Sequence, residues 1–574
     1  MKSKSIYFGI NIYDIKVISN NKNLFYKSKT VLQNHINKYK CKNYLYTFIL
    51  GDNRYLDNSV KSNYQNLGVS HLFAISGMHI TIISSFMLSI LKKIKFNEEK
   101  RYILTSIFIL FYLFLVSFTP SALRSGIFFI LLLINKYFYF HIKINNILLL
   151  TISIILFNNP FIVYNTGFIF SASITYSLII FSNLMNMKNN YFIKLFMTSL
   201  ISSLISLPIS LSNYFQFNLL TPFYNLVFVP LVSIIVFPIA ILSIFLKFLD
   251  IPLYLLLKIL EYISNFFIRI NSLIYFYKPS FVLITVYYIL IILVLKYHKK
   301  TFIFLLISLI LFHYNINVLL PKSYILFIDV GQGDSILIHN KNKNILVDTG
   351  GKESLSESNY SIINSTTIPL LKSLGIRKLD YLILSHGDFD HMGDAINLVN
   401  NFKVEKVIFN CGPYNDLEKE LIKVLDKKKI PYYSCIKELN IDNNKLYFLQ
   451  TKEYDNENDN SNVIYTEING YKFMFMGDAG IDKEKDILNK YNISNVDVLK
   501  VGHHGSKTSS SKELINSINP KYSIISVGKN NRYGHPNKEV LETLKDTKIY
   551  RTDQDGSIMF KIKNNELEMK ICSP

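Results

Sequence analysis

Four side chains of the kinds that bind divalent metals stand within six residues of one another: His386, Asp388, Asp390 and His391. Imidazole and carboxylate are the ligands such ions use. The largely apolar stretch from Leu379 to Leu384 runs straight into the cluster, and a helix-like segment follows. The four groups therefore sit on a strand-to-helix turn and converge on one point. Two further strand ends carry matching chemistry. Met474-Phe475-Met476-Gly477-Asp478 brings a carboxylate to a turn, and Val498 to Ser506 brings the pair His503 and His504 beside Gly502 and Gly505. A lone aspartate after a strand is often a helix cap. With imidazoles at two other strand ends, ligation is the stronger reading. Asp478 is then the natural bridge between two ions, an arrangement that activates water and clamps a phosphate. Metal-dependent hydrolysis is the chemistry to expect, with Asp390 and Asp478 as catalytic residues. Tyr533-Gly534-His535-Pro536 has two readings. Either it sets a catalytic His535 over the metals as proton donor or phosphate ligand, or it is a proline-stiffened structural turn. Gly331, Gly333 and Asp334 are expected to shape a strand turn rather than bind metal.

The elements that must carry these groups follow Pro321. Strand-like stretches are expected at 324–330, 335–339, 344–348, 379–385, 406–409, 445–449, 462–467, 471–476, 496–501, 522–527 and 558–563. Helices are expected at 366–375, 392–401, 416–428, 482–491, 510–517 and 537–545. Alternation of this kind over residues 323–574 makes one α/β domain. The four cysteines, Cys41, Cys411, Cys435 and Cys572, lack C-x-x-C spacing, so neither a disulfide framework nor a zinc knuckle is expected.

Before Pro321 the chain is different in kind. Ten apolar runs recur between short polar breaks, near 70–91, 102–118, 123–140, 145–158, 165–185, 193–213, 222–247, 251–276, 279–296 and 301–320. Most approach the roughly 20 residues that cross a bilayer. The run at 145–158 is short, and 251–276 is interrupted by Lys258, Glu261 and Arg269, so either could be re-entrant or interfacial. Residues 1–69 are mixed and lysine-rich, with short strands expected at 5–26 and a helix at 29–51 ending at Gly51. Residues 1–40 lack the continuous apolar core of a cleavable signal peptide.

The chain's apolar content, 50% of 574 residues, excludes intrinsic disorder. Its formal charge is +21, unevenly placed. Residues 323–574 carry 33 basic and 34 acidic side chains, and residues 1–322 carry 29 and 7. Two compatible readings fit: lysines flanking membrane spans, or a path for a polyanion. Every second connection between the runs is basic, as in Lys92-Lys93, Lys136, Lys188, Lys247 and Lys299-Lys300. The positive-inside rule puts those connections in the cytoplasm and residue 321 outside. The same count places lysine-rich residues 1–69 outside, against the rule.

The motif from His386 to His391 resembles the His-x-His-x-Asp-His core of the metallo-β-lactamase superfamily, with Asp388 in place of its second histidine. The resemblance implies an αββα sandwich. It also implies that His386 and Asp388 hold one metal, that Asp390 and His391 help hold another, that Asp478 bridges, and that His503 or His504 supplies the late histidine. The superfamily's intervening ligand histidine has no counterpart, since only His503 lies between His391 and His504. One ion would be under-ligated, and carboxylate for imidazole moves preference from Zn²⁺ toward Mn²⁺ or Mg²⁺. One or two divalent ions, Zn²⁺ or Mn²⁺, are expected.

In the apolar part, Leu50-Gly51-Asp52, Gly68 to His79 and Thr119 to Ser125 resemble the signatures of ComEC-type DNA-internalisation competence proteins. Phe327 to Ser335, Asn458 to Ser461, Tyr533 to Pro536 and Arg551 to Gly556 match the soluble domain of that family. Residues 45–574 carry the resemblance. It implies a polytopic α-helical membrane bundle followed by the metallo-β-lactamase-like sandwich: 1–69, truncated relative to the family's OB-fold; 70–320, the competence-type transmembrane domain; and 323–574. It implies a channel in the bacterial cell membrane that takes up single-stranded DNA in natural transformation. A metal-dependent phosphodiesterase on the outer face would degrade the strand that is not transported. The alternatives are a membrane-anchored metallo-hydrolase without transport, or a channel with a silent hydrolase domain. The implied partners are single-stranded DNA, the lipid bilayer, a DNA receptor, a cytoplasmic helicase and further copies of the chain. His71, Ser76, His79 and Arg124 are polar groups in or beside apolar spans. They read as a DNA-path lining or as helix-helix hydrogen bonding.

Overall fold

The computed structural model describes residues 24–185, 190–270, 272–351, 361–563 and 566–572. Most of the segment expected to hold short strands, 5–26, lies outside the described residues. The chain divides into two compact units, Met1–Ile274 with Pro279–Leu309, and Tyr275–Lys278 with Ile310–Pro574.

The first unit is helical. Helices overlie all ten apolar runs: Gly77–Lys93, Glu98–Leu115, Pro120–Tyr137, Ile144–Asn158, Thr166–Ile180, Tyr191–Asn213, Thr221–Ser243, Lys247–Ile268, Phe281–Tyr297 and Lys300–Tyr314. Three of these, Tyr191–Asn213, Thr221–Ser243 and Lys247–Ile268, are long and apolar enough to cross a membrane. Ile144–Asn158, Thr166–Ile180, Phe281–Tyr297 and Lys300–Tyr314 are shorter apolar helices. The interruption at Lys258 and Glu261 does not break its helix, because the two side chains pair with each other one turn apart at 2.7 Å. Local chemistry sets the ends. Asn97 accepts from the Lys100 amide, and Glu98 and Glu99 occupy the first turn of the next helix. The helix expected at 29–51 is two helices, Leu24–Ile36 and Lys42–Leu50. The chain turns between them, where the Lys40 amide and the Cys41 thiol donate to Asp250. Gly51 ends the second helix with φ of 68°, a conformation glycine takes without strain. These helices join the buried cluster of the unit, with Phe48, Phe73, Phe228 and Phe237 at its centre.

The second unit contains two sheets. One has eight strands in the spatial order Glu566–Cys572, Ser557–Lys563, Ser323–Phe327, Ile336–Asn340, Lys343–Val347, Tyr381–Ile383, Val407–Phe409 and Tyr432–Ser434. The other has seven, Lys548–Arg551, Tyr522–Ile525, Val498–Lys500, Tyr471–Phe475, Ile464–Ile468, Asn444–Phe448 and Glu438–Ile441. Strand alternation divides the side chains. Ile325, Phe327, Ile345, Val347, Phe473 and Phe475 point between the sheets, into one buried cluster fed by both. Tyr324, Leu326, Leu337, Leu346 and Leu382 point the other way, under Ile368–Ser373, Ala395–Asn401 and Asp416–Lys428. Met474 and Leu499 face Ile481–Lys490 and Lys512–Ile518 on the far side. Helix, sheet, sheet, helix is the αββα sandwich. All eleven expected strands are present, along with Tyr432–Ser434, Glu438–Ile441, Lys548–Arg551 and Glu566–Cys572. Cys411 and Cys435, expected to stand unpaired, form a disulfide across 24 residues, with Cα atoms 4.7 Å apart. It links the segments after two neighbouring parallel strands, and adjacency in the sheet brings the thiols together without any sequence spacing signal.

Candidate metal centre and the polar groups of the helical unit

The cluster lies where several strands of the sandwich end. The segment after Tyr381–Ile383 presents His386. The short helix Phe389–Met392 turns Asp390 and His391 toward it, and the strand Tyr471–Phe475 leads to Asp478. The ligand turn is pressed against glycine backbone. A Cβ on Gly333, whose φ is 130°, would stand 2.2 Å from the Asp390 carbonyl oxygen, so no side chain fits there. His503 and His504 both adopt left-handed φ, 45° and 52°, within Gly502–Gly505. Two such residues in succession cost on the order of 1–3 kcal/mol each and are characteristic of functional sites.

Each buried imidazole is held from behind and open in front. His391 Nδ1 lies 2.9 Å from Asp348 Oδ2. His504 Nδ1 lies 2.8 Å from the Ser526 carbonyl oxygen. His386 Nδ1 lies 3.0 Å from Ser385 Oγ and 3.4 Å from Ser461 Oγ. The Nε2 atoms of all three, and Asp478 Oδ1, are buried and have no hydrogen-bond partner. His391 Nε2 is 3.1 Å from Asp478 Oδ1, and His504 Nε2 is 3.2 Å from Asp390 Oδ2 and 3.7 Å from Asp478 Oδ2. Asp478 thus presents one oxygen to His391 and the other to His504. His386, His391 and Asp478 form one set with ligand atoms within 4.8 Å of one another, and Asp390, His391 and His504 form a second. Buried polar atoms left open are costly, and imidazoles whose Nδ1 is fixed by a carboxylate or carbonyl are arranged as metal ligands are. This donor set fits a divalent ion.

Electrostatics agree with the geometry. Burial opposes ionisation of Asp478, but the charges of His391 and His504 outweigh it and hold the carboxyl well below the usual range. Burial also opposes ionisation of Asp390, and the neighbouring His504 and His391 imidazoles overcome it and hold the carboxyl below the usual range. Burial lowers His391 and His504, yet Asp478 and their other carboxylate neighbours raise both overall.

Two sequence candidates sit at the rim. Asp388 has a side chain 46% exposed and reaches only to 3.5 Å from His386 Nε2. His503 is 27% exposed, with Nε2 3.7 Å from Asp478 Oδ2 and Nδ1 tied to Thr508 Oγ1. Neither belongs to a tight donor set among the described residues. His535 comes to the same rim. Its ring centroid is 5.9 Å from that of His503, and its Nδ1 is buried without a hydrogen-bond partner. Asn531 pins its loop, accepting from the amides of Tyr533 and His535 and donating to the His535 carbonyl.

Three residues of the cluster escaped the sequence reading. Asp334, taken for a turn-former, is buried between the Nδ1 sides of His391 and His504, at 3.7 and 3.6 Å. It also pairs with Lys500, a fully buried lysine that donates to the Gly477 carbonyl at 3.2 Å. Asp348 ends a strand and meets glycines, the pattern that drew attention to Asp478, so the signal was present. The signal for Lys500 is a single charge inside the apolar run Val498 to Val501.

In the helical unit, Ser76 caps Gly77–Lys93 in a box with His79, whose Nδ1 lies 2.9 Å from Ser76 Oγ. His79 is fully buried, its ring 4.4 Å from that of Phe237 and its Nε2 without a hydrogen-bond partner. His71 is exposed, with Nδ1 3.3 Å from the Gly68 carbonyl. Arg124 is buried and donates to Ser171 and Ser125 hydroxyls.

The competence protein family model matches residues 48–301, and the metallo-β-lactamase superfamily model matches residues 328–529. The helical unit with its metal-type sandwich is thus of the class that joins a competence domain to a metallo-hydrolase fold. The chain is 30% identical over 560 residues to ComE operon protein 3 of Bacillus subtilis, covering 92% of this chain and 72% of that protein. It is 31% identical to Competence protein ComA of Neisseria gonorrhoeae over 40% of this chain and 31% of that one. Recombination protein 2 of Haemophilus influenzae is 29% identical over 42% of this chain and 29% of its own length. Among solved structures, yeast PDE1 is 10% identical, covering 42% of this chain and 99% of that chain with a TM-score of 0.28. The family matches and the sheet order, not that score, define the fold. The chain belongs to the ComEC-type competence proteins, the DNA-uptake family, and its metallo-β-lactamase fold implies a divalent metal.

Proposed function

We propose that this chain is a multi-pass channel of the bacterial inner membrane for single-stranded DNA. Its sandwich domain acts on the outer face as a metal-dependent phosphodiesterase that degrades the strand left behind. The observation that carries the hydrolase reading is the convergence of three fixed imidazoles and Asp478, with their ligand atoms otherwise unpartnered. His386, Asp390, His391, Asp478 and His504 would hold one or two divalent ions, with Asp388 and His503 at the rim. A divalent ion bound there would supply Lewis-acid polarisation of a phosphoryl oxygen and would acidify water at neutral pH. The residues do the rest. Asp348 and the Ser526 carbonyl fix the tautomers of His391 and His504. Lys500 offsets part of the carboxylate charge through Asp334. His535, with an open Nδ1 at the rim, donates a proton to the leaving oxygen. The donor set, three imidazoles with two carboxylates, suits Zn²⁺ or Mn²⁺.

Two observations support the placement of the domain. The basic connections alternate along the apolar runs, and the Cys411–Cys435 disulfide belongs to an oxidising compartment. A DNA receptor outside, a helicase inside and other copies of the chain are the partners this role needs. A second reading, a channel with a silent hydrolase domain, is favoured by one feature. Among the described residues the set on the His386 side holds only His386, His391 and Asp478, which leaves that side of the centre short of ligands.

The test uses the full chain in lipid with Mn²⁺ or Zn²⁺ and labelled DNA. Hydrolysis that falls at least about 100-fold in Asp390→Ala supports the enzyme reading, and equal cleavage by that variant removes it. Uptake of labelled DNA by cells lacking the gene tests transport separately, and unchanged uptake ends the channel reading.

A further inference from the structure

Arg124 is the one lysine or arginine between His71 and Ile180 that lies outside the basic connections at 92–101 and 136–143. It is 4% exposed in an apolar helical unit. Among the described residues it has no carboxylate partner. Its Nε donates to Ser171 Oγ at 2.7 Å and its Nη2 to Ser125 Oγ at 2.9 Å, while Nη1 is buried with no hydrogen-bond partner. A buried guanidinium that meets only hydroxyls keeps its whole charge uncompensated, which is costly unless an anion visits it.

The surroundings add to that field. Arg124 lies in the second turn of Pro120–Tyr137, and Ser171 in the second turn of Thr166–Ile180. Gly77 opens Gly77–Lys93. A Cβ built on it would stand 3.4 Å from Arg124 Nη2 and 3.3 Å from Ser125 Oγ, so the guanidinium faces the start of that helix. The N-terminal portions of three helices, each 15 residues or longer, therefore meet at one cation, and each contributes partial positive charge. Gly77 has no side chain to shield its backbone. The connections leading into Pro120–Tyr137 and Thr166–Ile180, 116–119 and 159–165, carry no charged residue, and by the positive-inside rule that end of the bundle turns outward.

We propose that Arg124, the start of Gly77–Lys93 and the hydroxyls of Ser125 and Ser171 form a discrete binding site for one phosphodiester group of a single-stranded nucleic acid. The inference rests on the channel reading and sharpens it. The outer end of the bundle engages the backbone through one buried cation and does not read bases. Recognition is independent of sequence, and the hydroxyls that hold the guanidinium in the empty state hand it over to the phosphate.

Salt dependence reads this directly, because each phosphate contact to a single strand adds about 0.7 to the slope of log affinity against log salt. The full chain is placed in nanodiscs of zwitterionic lipid, with chelator present to prevent hydrolysis, and a fluorescent oligothymidylate is titrated at several salt concentrations. Arg124→Gln is expected to lower the slope by about 0.7, and Arg124→Lys to retain it. A merely structural arginine would leave the slope of the assembled protein unchanged, and that result overturns the site. Should Arg124→Gln fail to assemble, Gly77→Leu fills the space before the guanidinium and keeps the cation. It must produce the same loss of slope, and an assembled Gly77→Leu protein with the wild-type slope overturns the proposal. Loss of co-purifying anionic lipid in Arg124→Gln with no change in DNA slope assigns the site to a lipid headgroup and also overturns it. Slope loss in Arg124→Gln with unchanged DNA uptake keeps the site and removes the channel reading. An unchanged slope with abolished uptake does the reverse.

Discussion

The two units differ in how they bury polar groups. In the sandwich, His386, His391, His504 and Asp478 are each fixed on one side and left open on the other, and the open sides face one another. In the helical unit, several buried hydroxyls are closed locally, while those of Ser84 and Thr105 are scattered and open. Thr151 donates to the Ile147 carbonyl, Thr47 to the Asn43 carbonyl and Ser125 to the Ser121 carbonyl, each one turn back along its own helix. Water is excluded from both interiors, so every open atom carries a desolvation cost. Where open atoms cluster around a common point, an ion can recover that cost at once. Where they are paired within a helix, nothing remains to recover. The contrast separates a binding centre from structural polarity, and in the helical unit Arg124 and His79 resemble the sandwich, each held on one side and open on the other.

The largest effect expected from this contrast is at Asp478. It presents an oxygen to each donor set and lies within 3.7 Å of three imidazoles. Asp478→Ala removes the carboxylate that faces both His391 and His504 and leaves Asp390 as the carboxylate beside them. Metal affinity should fall by more than the roughly 10–100-fold typical of an outer-shell change, measured by chelator competition on the full chain. Retention of wild-type metal content by an assembled Asp478→Ala protein would break the comparison, because the open atoms would then not be an ion's ligands.

Asp348 comes next. It touches His391 only at Nδ1, 2.9 Å away, and its other oxygen accepts from the Ser385 amide at 2.7 Å. Asp348→Asn keeps the shape and removes the charge that holds the tautomer. Metal affinity is expected to fall by about 10–100-fold while the stoichiometry at saturating metal stays the same. A loss as deep as that of Asp478→Ala would mean that Asp348 binds the ion itself.

How much of this was legible in the sequence differs between the units for a physical reason. Sandwich strands announce themselves through alternation. Leu382 and Ile383 pack on opposite faces of one strand, and the motif from His386 to His391 is contiguous, so elements and most of the cluster could be read. Asp334 and Lys500 could not, because their partnership exists only once strands far apart in the chain are folded together. The same holds for Cys411 and Cys435, which meet because Val407–Phe409 and Tyr432–Ser434 are neighbours in the sheet. The edge strand Glu566–Cys572 alternates charged and apolar residues on an exposed ribbon, a pattern too weak to separate from a loop. In the helical unit apolar composition revealed where helices lie, but it is nearly uniform around them. It therefore concealed which faces pack and that the stretch 29–51 breaks at the turn held by Asp250.

The smallest expected effect tests the other half of the comparison. Thr151 is fully buried in Ile144–Asn158, and its hydroxyl donates at 2.8 Å to the Ile147 carbonyl of its own helix. That carbonyl belongs to a complete helical ladder, so the hydroxyl bond is an extra one. Replacing the hydroxyl with a methyl of similar size removes donor and acceptor together and leaves no orphan. Side-chain hydrogen bonds between helices of membrane bundles average about 0.6 kcal/mol, which sets an upper scale for one made within its own helix. Thr151→Val should therefore shift the unfolding free energy of the protein in detergent by about 0.6 kcal/mol or less. DNA affinity, its salt slope and metal content should stay at wild-type values. A large loss of DNA affinity in an assembled Thr151→Val protein would show that hydroxyls closed within their helices also serve the translocated strand. Local closure would then no longer distinguish scaffold from path.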